Sequence, residues 1–249
     1  MNVELTEELV MELSGQRVVV LGGTSGIGLA VAQAAAGRGA EVIVVSSRAA
    51  SVERALGQLP AGVRGIAVDL ADEDRVRALF DELGELDHLV YTAGESLSMM
   101  PMSEFDLQAA QGFFRLRFFG AVQAVAAAAP RLRAGGSITL TTGSAKDRPG
   151  PGWAVVAGVC GAMESLTRAL AVELAPLRVN VVSPGIVRSP LWSGMDDAAR
   201  EEMYRTTGAT LPVGRVGEVE DIAQAYLFLM TQPYATGTVV TVDGGGILV

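Results

Sequence analysis

The chain is predicted to form an α/β domain, a doubly wound parallel sheet of about seven strands with helices on both faces, in three layers. Three observations predict it. Short runs rich in Val, Ile and Leu alternate with longer helical patterns through all 249 residues, without a repeat or a long linker. The runs are apolar throughout, as in strands covered on both faces. The first of them, Arg17-Val18-Val19-Val20-Leu21, breaks into the glycine turn Gly22-Gly23-Thr24-Ser25-Gly26-Ile27-Gly28.

In chain order, the first strand covers about 17–22, and the turn opens a helix over 26–38 whose Ala30, Ala32, Ala34 and Ala35 allow close packing. A strand at about 41–46 and a helix at about 50–58 follow, then a strand at about 63–69 and a helix at about 72–83. The fourth strand, about 86–92, leads into a helical stretch over 103–133, interrupted near Gly112 and Gly120. After a fifth strand at about 136–142 come a helix over 152–174 and a sixth strand at about 177–183. A helical insertion near 189–208, a helix over 218–231 and a strand at about 238–242 complete the pattern. Residues 1–249 thus read as one domain, with 1–14 as a loose N-terminal extension.

The net charge of −9 and a pI near 4.7 disfavour nucleic acid and anionic membranes as partners. The most apolar helix-like stretch, Phe113 to Pro130, contains Arg115, Arg117 and Gln123, short of the uninterrupted ~18 residues of a spanning helix. Met1 to Glu12 has acids and no basic residue, unlike a secretory signal, so the cytoplasm is expected. One histidine, one cysteine and one lysine (His88, Cys160, Lys146) rule out an intrachain disulfide and a His/Cys metal site, and no metal is expected. His88 reads as a strand-end residue rather than a base.

In such sheets a ligand sits beyond the carboxyl ends of the strands. The turn at Gly22, Thr24, Ser25, Gly26, Ile27 and Gly28 is suited to a pyrophosphate, since the helix N-terminus presents free N–H groups and a positive dipole end. After the second strand, Ser47-Arg48 stands where an acid would bind the ribose of NAD. Arg48 matches a 2′-phosphate instead, so NADP(H) is expected. Asp69, followed by Leu70, is placed to accept from an adenine amine or to cap the helix starting near Asp72.

Four motifs agree in order and spacing with the short-chain dehydrogenase/reductase family. Gly22-x-x-x-Gly26-Ile27-Gly28 resembles its cofactor turn and Ala93-Gly94 the end of its Asn-Asn-Ala-Gly motif. Arg178-Val179-Asn180-Val181-Val182-Ser183-Pro184-Gly185 resembles its sixth strand and nicotinamide loop, and Asp243-Gly244-Gly245 its C-terminal signature. The resemblance covers essentially the whole chain. It implies a Rossmann-type fold, a nicotinamide surrounded by Pro184, Gly185, Ile186 and Ser189, and a homo-oligomer, tetramer or dimer.

The family's reactive positions are altered. Alignment of the helix containing Gly161-Ala162-Met163-Glu164 puts Val156 at the tyrosine and Cys160 at the lysine, so Tyr-x-x-x-Lys is absent. The serine position falls among Thr142, Gly143 and Ser144, the asparagine position on Arg117, and Tyr91-Thr92 replace the paired asparagines. Arg117, Thr142 and Ser144 are therefore the candidate catalytic residues: a charge for a developing alkoxide and hydroxyls for a substrate oxygen. Cys160 and Tyr91 read more simply as buried packing residues. Met99, Met100, Met102, Trp153, Trp192, Met195 and Met203 are expected to line an apolar pocket. The expected activity is NADP(H)-dependent ketoreduction of a small apolar carbonyl or alcohol. A silent cofactor-binding subunit and a non-redox enzyme on the same fold are the alternatives.

Overall fold

The computed structural model describes residues 12–97 and 99–249. Seven parallel strands form one sheet: β1 (Arg17–Leu21), β2 (Glu41–Ser46), β3 (Arg64–Ala67), β4 (Leu86–Tyr91), β5 (Leu132–Thr141), β6 (Arg178–Pro184) and β7 (Val239–Val242). Their order is β3-β2-β1-β4-β5-β6-β7. The chain starts in the middle, runs outward, then returns to build the other half, so the order reverses between β1 and β4. A cleft opens at that point, beyond the strand ends.

The sheet faces are sorted by the strand period of two. Val19, Leu21, Ile43 and Val45 point into one core, with Phe80 and Leu83 of α3 (Glu73–Leu83), Ala121 and Ala124 of α5 (Gly120–Ala128), and Val159 and Met163 of α6 (Ala154–Glu173). Val18, Val20, Val42 and Val44 point into the other. There they meet Val31 and Ala35 of α1 (Gly26–Ala36), Ala55 of α2 (Ala49–Leu56), and Ile222 and Tyr226 of α8 (Val219–Thr231). α6 has 20 residues and a mean hydropathy of 1.4, making it, rather than the 113–130 stretch, long and apolar enough to cross a membrane by composition. It packs on β5 and β6 and carries Glu164, which pairs with Lys146 at 2.7 Å and Arg168 at 3.0 Å.

One sequence expectation is corrected and two helical ones are refined. Residues 12–14 are not loose: Leu13 is fully buried, its N–H donates to the Arg38 carbonyl at 3.2 Å, and Glu12 pairs with Arg38. Residues 1–11 of the expected extension lie outside the described residues. The 103–133 stretch is interrupted as expected, with the break just before Gly120 rather than at Gly112. A 3-10 turn at Met102–Glu104 precedes α4 (Leu107–Phe114), a π turn spans Arg115–Phe119, α5 follows, and a 3-10 turn at Ala129–Arg131 ends it. Pro130 closes the series because it lacks an N–H, and β5 begins at Leu132 instead of near 136. The insertion near 189–208 becomes a 3-10 turn (Pro190–Trp192) and α7 (Asp197–Thr210), capped by Asp196 accepting from the Ala199 N–H at 2.9 Å.

His88 lies within β4, buried. Its Nδ1 is 2.8 Å from the Ser137 hydroxyl and its Nε2 2.6 Å from the Gln16 side-chain oxygen. Burial, with Arg178 nearby, lowers its pKa from 6.5 to about 4, against a smaller raising effect of Asp87. The neutral ring thus contributes stability above pH 6.5 that is lost as the pH falls toward 4, about 3 kcal/mol at most. As the only histidine, its ring resonance should titrate near 4 by NMR, and His88→Gln should flatten the denaturation midpoint between pH 6.5 and 4.5. A ring titrating near 6.5 would contradict this placement.

Candidate active site

One cavity of about 580 Å³ occupies the cleft between the strand ends, and it collects side chains from every loop singled out in the sequence. At its centre is the glycine turn. Gly22 has φ +86°, and a Cβ there would lie 2.6 Å from the Ala93 nitrogen. A Cβ on Gly28 would lie 2.3 Å from the Gly22 carbonyl oxygen and 2.4 Å from the Thr92 hydroxyl. The helix, the turn and the chain leaving β4 therefore meet backbone to backbone. Thr24, Ser25, Gly26 and Ile27 complete this part of the lining. Ser25 makes no side-chain cap on α1, the first turn has no acid, and its N–H groups face the cavity with no acceptor among the described residues. This cradle fits a pyrophosphate.

Toward β2, Ser47 and Arg48 line the cavity, joined by Ser51 and Arg54 of α2. Neither guanidinium makes an ion pair or hydrogen bond among the described residues, and the N-terminus of α2 has no side-chain cap and no acid. Ser51 and Arg54 were missed in the sequence. Their signal is the stride of three from Arg48 along a helix, which keeps all three on one side. Asp69 and Leu70 line the same end. Asp69 is not the helix cap: it accepts from the Ala71 N–H at 3.0 Å, while Asp72 caps α3 by accepting from Arg75 at 3.1 Å. The second carboxylate oxygen of Asp69 has no hydrogen-bond partner among the described residues.

On the other side lie Ala93, Gly94, Pro184, Gly185, Ile186 and Ser189. The Gly185 N–H donates to the Val242 carbonyl at 3.0 Å, so β7 fixes the loop after β6. Three loops are pinned over the site. The Leu97 N–H donates to the Leu191 carbonyl at 3.0 Å, the Ser96 and Ser193 hydroxyls are 2.9 Å apart, and the Met100 N–H donates to the Gly152 carbonyl at 3.0 Å.

The reactive end is lined by Val156 and Cys160 of α6, Gly143 and Ser144 after β5, Tyr91 and Arg117. Arg117 sits in the π turn, a local widening of the helix that re-aims its side chain. The Tyr91 hydroxyl donates to the Leu116 carbonyl at 2.6 Å, and a Cβ on Gly120 would lie 2.5 Å from that hydroxyl. The ring thus fits only because Gly120 is bare. Arg115, two positions away, is exposed and outside the lining. The Arg117 guanidinium lies over Gly94, whose Cβ would be 2.5 Å from Nη1, and 4.4 Å from the Phe113 ring centroid. Its Nη2 donates to the Glu95 carbonyl, and its Nε is 3.6 Å from the Glu95 carboxylate. Burial lowers the arginine's proton affinity, an effect Glu95 opposes.

Thr142 differs from expectation. Its hydroxyl donates to the Cys160 backbone carbonyl at 2.8 Å, so its proton already has an acceptor. Ser144 is the hydroxyl left available, with no bond to its Oγ among the described residues. Burial pushes the Cys160 thiol up, despite the neighbouring Thr142, and also pushes the Tyr91 phenol up. The methionines are also corrected. Trp153 and Trp192 line the cavity, with ring centroids 6.4 Å apart, but Met99 and Met102 are exposed. Met195 and Met203 pack around Trp192 and Tyr204 behind the wall. The pinning of the loops turns those side chains outward, and Leu97, Phe113, Leu116, Val159 and Met163 supply the apolar lining in their place.

A family model described as an SDR-like Rossmann domain matches residues 10–249. A short-chain dehydrogenase/reductase of Stachybotrys chlorohalonatus is 39% identical over 252 residues, covering 95% of this chain and 98% of the relative. The L-xylulose reductase of Bos taurus is 31% identical, with 94% and 98% covered. Among solved structures, a small-chain dehydrogenase in complex with NADPH is similar at 37% identity and a TM-score of 0.80, covering 94% of this chain and 99% of that one. The MalC reductase/Diels-Alderase of Malbranchea aurantiaca is similar at 33% identity and a TM-score of 0.89, covering 96% and 99%.

Proposed function

The chain belongs to the short-chain dehydrogenase/reductase family, and on that premise we propose that it is an NADP(H)-dependent oxidoreductase that reduces an apolar carbonyl compound with an arginine in place of the usual acid. When bound, NADPH supplies the hydride. The residues of the chain hold and orient it. The bare turn at Gly22, Gly26 and Gly28 and the open N-terminus of α1 take the pyrophosphate, and Asp69 reaches the adenine. Ser47, Arg48, Ser51 and Arg54 take the 2′-phosphate, and Pro184, Gly185, Ile186 and Ser189 surround the nicotinamide. The NADPH complex of a 37% identical relative supports the choice of cofactor.

The observation that carries the reading is Arg117. Its guanidinium is fixed over Gly94 by Glu95 and Phe113, inside the same cavity as the phosphate cradle. Nη1 has no acceptor within the described protein, so it is free to donate to a substrate oxygen as negative charge develops there. The Ser144 hydroxyl adds a second donor. The proton that completes the reaction comes from solvent, after the hydride has moved.

Val156 and Cys160, aligned with the family's tyrosine and lysine, favour a second reading, a non-redox reaction in the same apolar cavity. The name of the MalC protein joins reductase and Diels-Alderase activities, which supports keeping it. Turnover that survives removal of NADP(H) would select this reading, and cofactor binding without any turnover would mark a silent subunit. Apolar side chains left exposed on the helices and nearby loops, Phe105, Leu107, Phe119 and Val172, support a homo-oligomer.

Two outcomes are expected. Replacing Arg54 or Arg48 by Ala should weaken NADPH by about tenfold or more while leaving NADH unchanged, measured by fluorescence titration, since each removes a charge-assisted bond to the extra phosphate. Equal losses for both cofactors would refute the assignment. Arg117→Gln should lower kcat by about 10² to 10³ and leave NADPH affinity nearly unchanged; unchanged kcat would remove Arg117 from the chemistry.

A further inference from the structure

Reduction of an isolated ketone leaves a localised alkoxide, a base comparable to hydroxide, whose conjugate acid is near ~16 by analogy with water. Solvent can protonate it only once it has formed, so its formation is favoured most by an acid beside it. Among the described residues at the reactive end, the proton donors are already committed. Tyr91 gives its hydroxyl proton to the Leu116 carbonyl at 2.6 Å and Thr142 gives its own to the Cys160 carbonyl at 2.8 Å. Cys160 is buried, in a setting that holds the proton on sulfur. Lys146 is held by Glu164 at 2.7 Å and does not line the cavity, while Glu95 is occupied as the partner of Arg117. What remains is Ser144, about as weak an acid as water, and Arg117, which donates a hydrogen bond but keeps its proton. The cavity is therefore equipped to receive an oxyanion and not to protonate one.

Its walls are rich in aromatic surface. Trp153 and Trp192 form a tilted pair in the lining, centroids 6.4 Å apart and planes at 46°, and Phe113 lies under the guanidinium. Such a lining favours an apolar partner with a π system.

We propose that the substrate is a flat conjugated carbonyl compound, an α,β-unsaturated ketone or aldehyde reduced at its β carbon, whose enolate oxygen is received by Arg117. This rests on the NADP(H) reductase reading. A hydride from NADPH, carrying two electrons, forms the new C–H bond at the β carbon and leaves NADP⁺. The C=C pair shifts to join the α and carbonyl carbons, and the C=O pair moves onto oxygen. Solvent then protonates the α carbon, so the carbonyl survives and the double bond is saturated. The enolate spreads its charge as a phenolate does, whose acid lies near ~10, about six units below water. An arginine and a serine suffice for such an anion.

The test compares 4-phenylbut-3-en-2-one with its saturated counterpart 4-phenylbutan-2-one, using NADPH carrying transferable deuterium, with NADPH binding measured separately. The expected result is kcat/KM at least 100-fold higher for the conjugated ketone, with deuterium at its C4. A second readout needs no turnover: 4-nitrophenol bound to the cofactor-free protein should ionise at least one pH unit lower than in water, by its absorbance, and Arg117→Gln should abolish that shift. Equal turnover of the two ketones, deuterium at the carbonyl carbon, or an unshifted nitrophenol would overturn the proposal and leave the reductase reading standing. Binding of NADPH with turnover of neither ketone would overturn both.

Discussion

Three backbones meet without room for a methyl group where β1 ends. The turn at Gly22, the first turn of α1 at Gly28 and the chain leaving β4 at Thr92 and Ala93 are in direct contact, with a Cβ on either glycine falling within 2.3 to 2.6 Å of a neighbouring backbone atom. That approach seats the α1 N-terminus at the point where strand order reverses, and it fixes the loop carrying Gly94, Glu95 and Ser96. It therefore sets both halves of the cavity, the phosphate cradle directly and the reactive end through Arg117, whose guanidinium lies over Gly94.

The two halves have diverged in chemistry. The dinucleotide half keeps open N–H groups, small residues and, at Arg48 and Arg54, guanidinium groups without a partner among the described residues, all features that favour anions. The reactive half offers apolar packing and one cation. Val156 and Cys160 fill space beside Ala145, and Tyr91 is turned to the Leu116 carbonyl at the π turn that carries Arg117. Burying that guanidinium is unfavourable, and the Glu95 carbonyl and carboxylate with the Phe113 face offset much of the cost. An arginine held this way stabilises charge without exchanging protons.

Much of this was legible in the sequence because it depends on local pattern. The apolar runs named all seven strands, and the spacing of Gly22, Gly26 and Gly28 carried the cradle, since both follow from steric rules within a few residues. The failures have non-local causes. The π turn at Arg115–Phe119 depends on a tyrosine 25 residues earlier in β4 and on bare Gly120. The commitment of the Thr142 hydroxyl depends on a helix carbonyl 18 residues away. The exposed methionines follow from loops pinned to one another through Leu97 and Leu191, and Leu13 became core because Arg38 receives its N–H. Arg54 was within reach, since the helical stride from Arg48 through Ser51 is a local rule.

The central claim is that hydride transfer here is supported by a fixed arginine with no titrating acid. The most direct measurement is the single-turnover rate of NADPH oxidation with 4-phenylbut-3-en-2-one as acceptor, followed across about pH 6 to 9 with normal and deuterated cofactor. A flat pH profile with a primary isotope effect is the expected result. A rate that falls along a single ionisation within that window would reveal an acid taking part in the step and contradict the account.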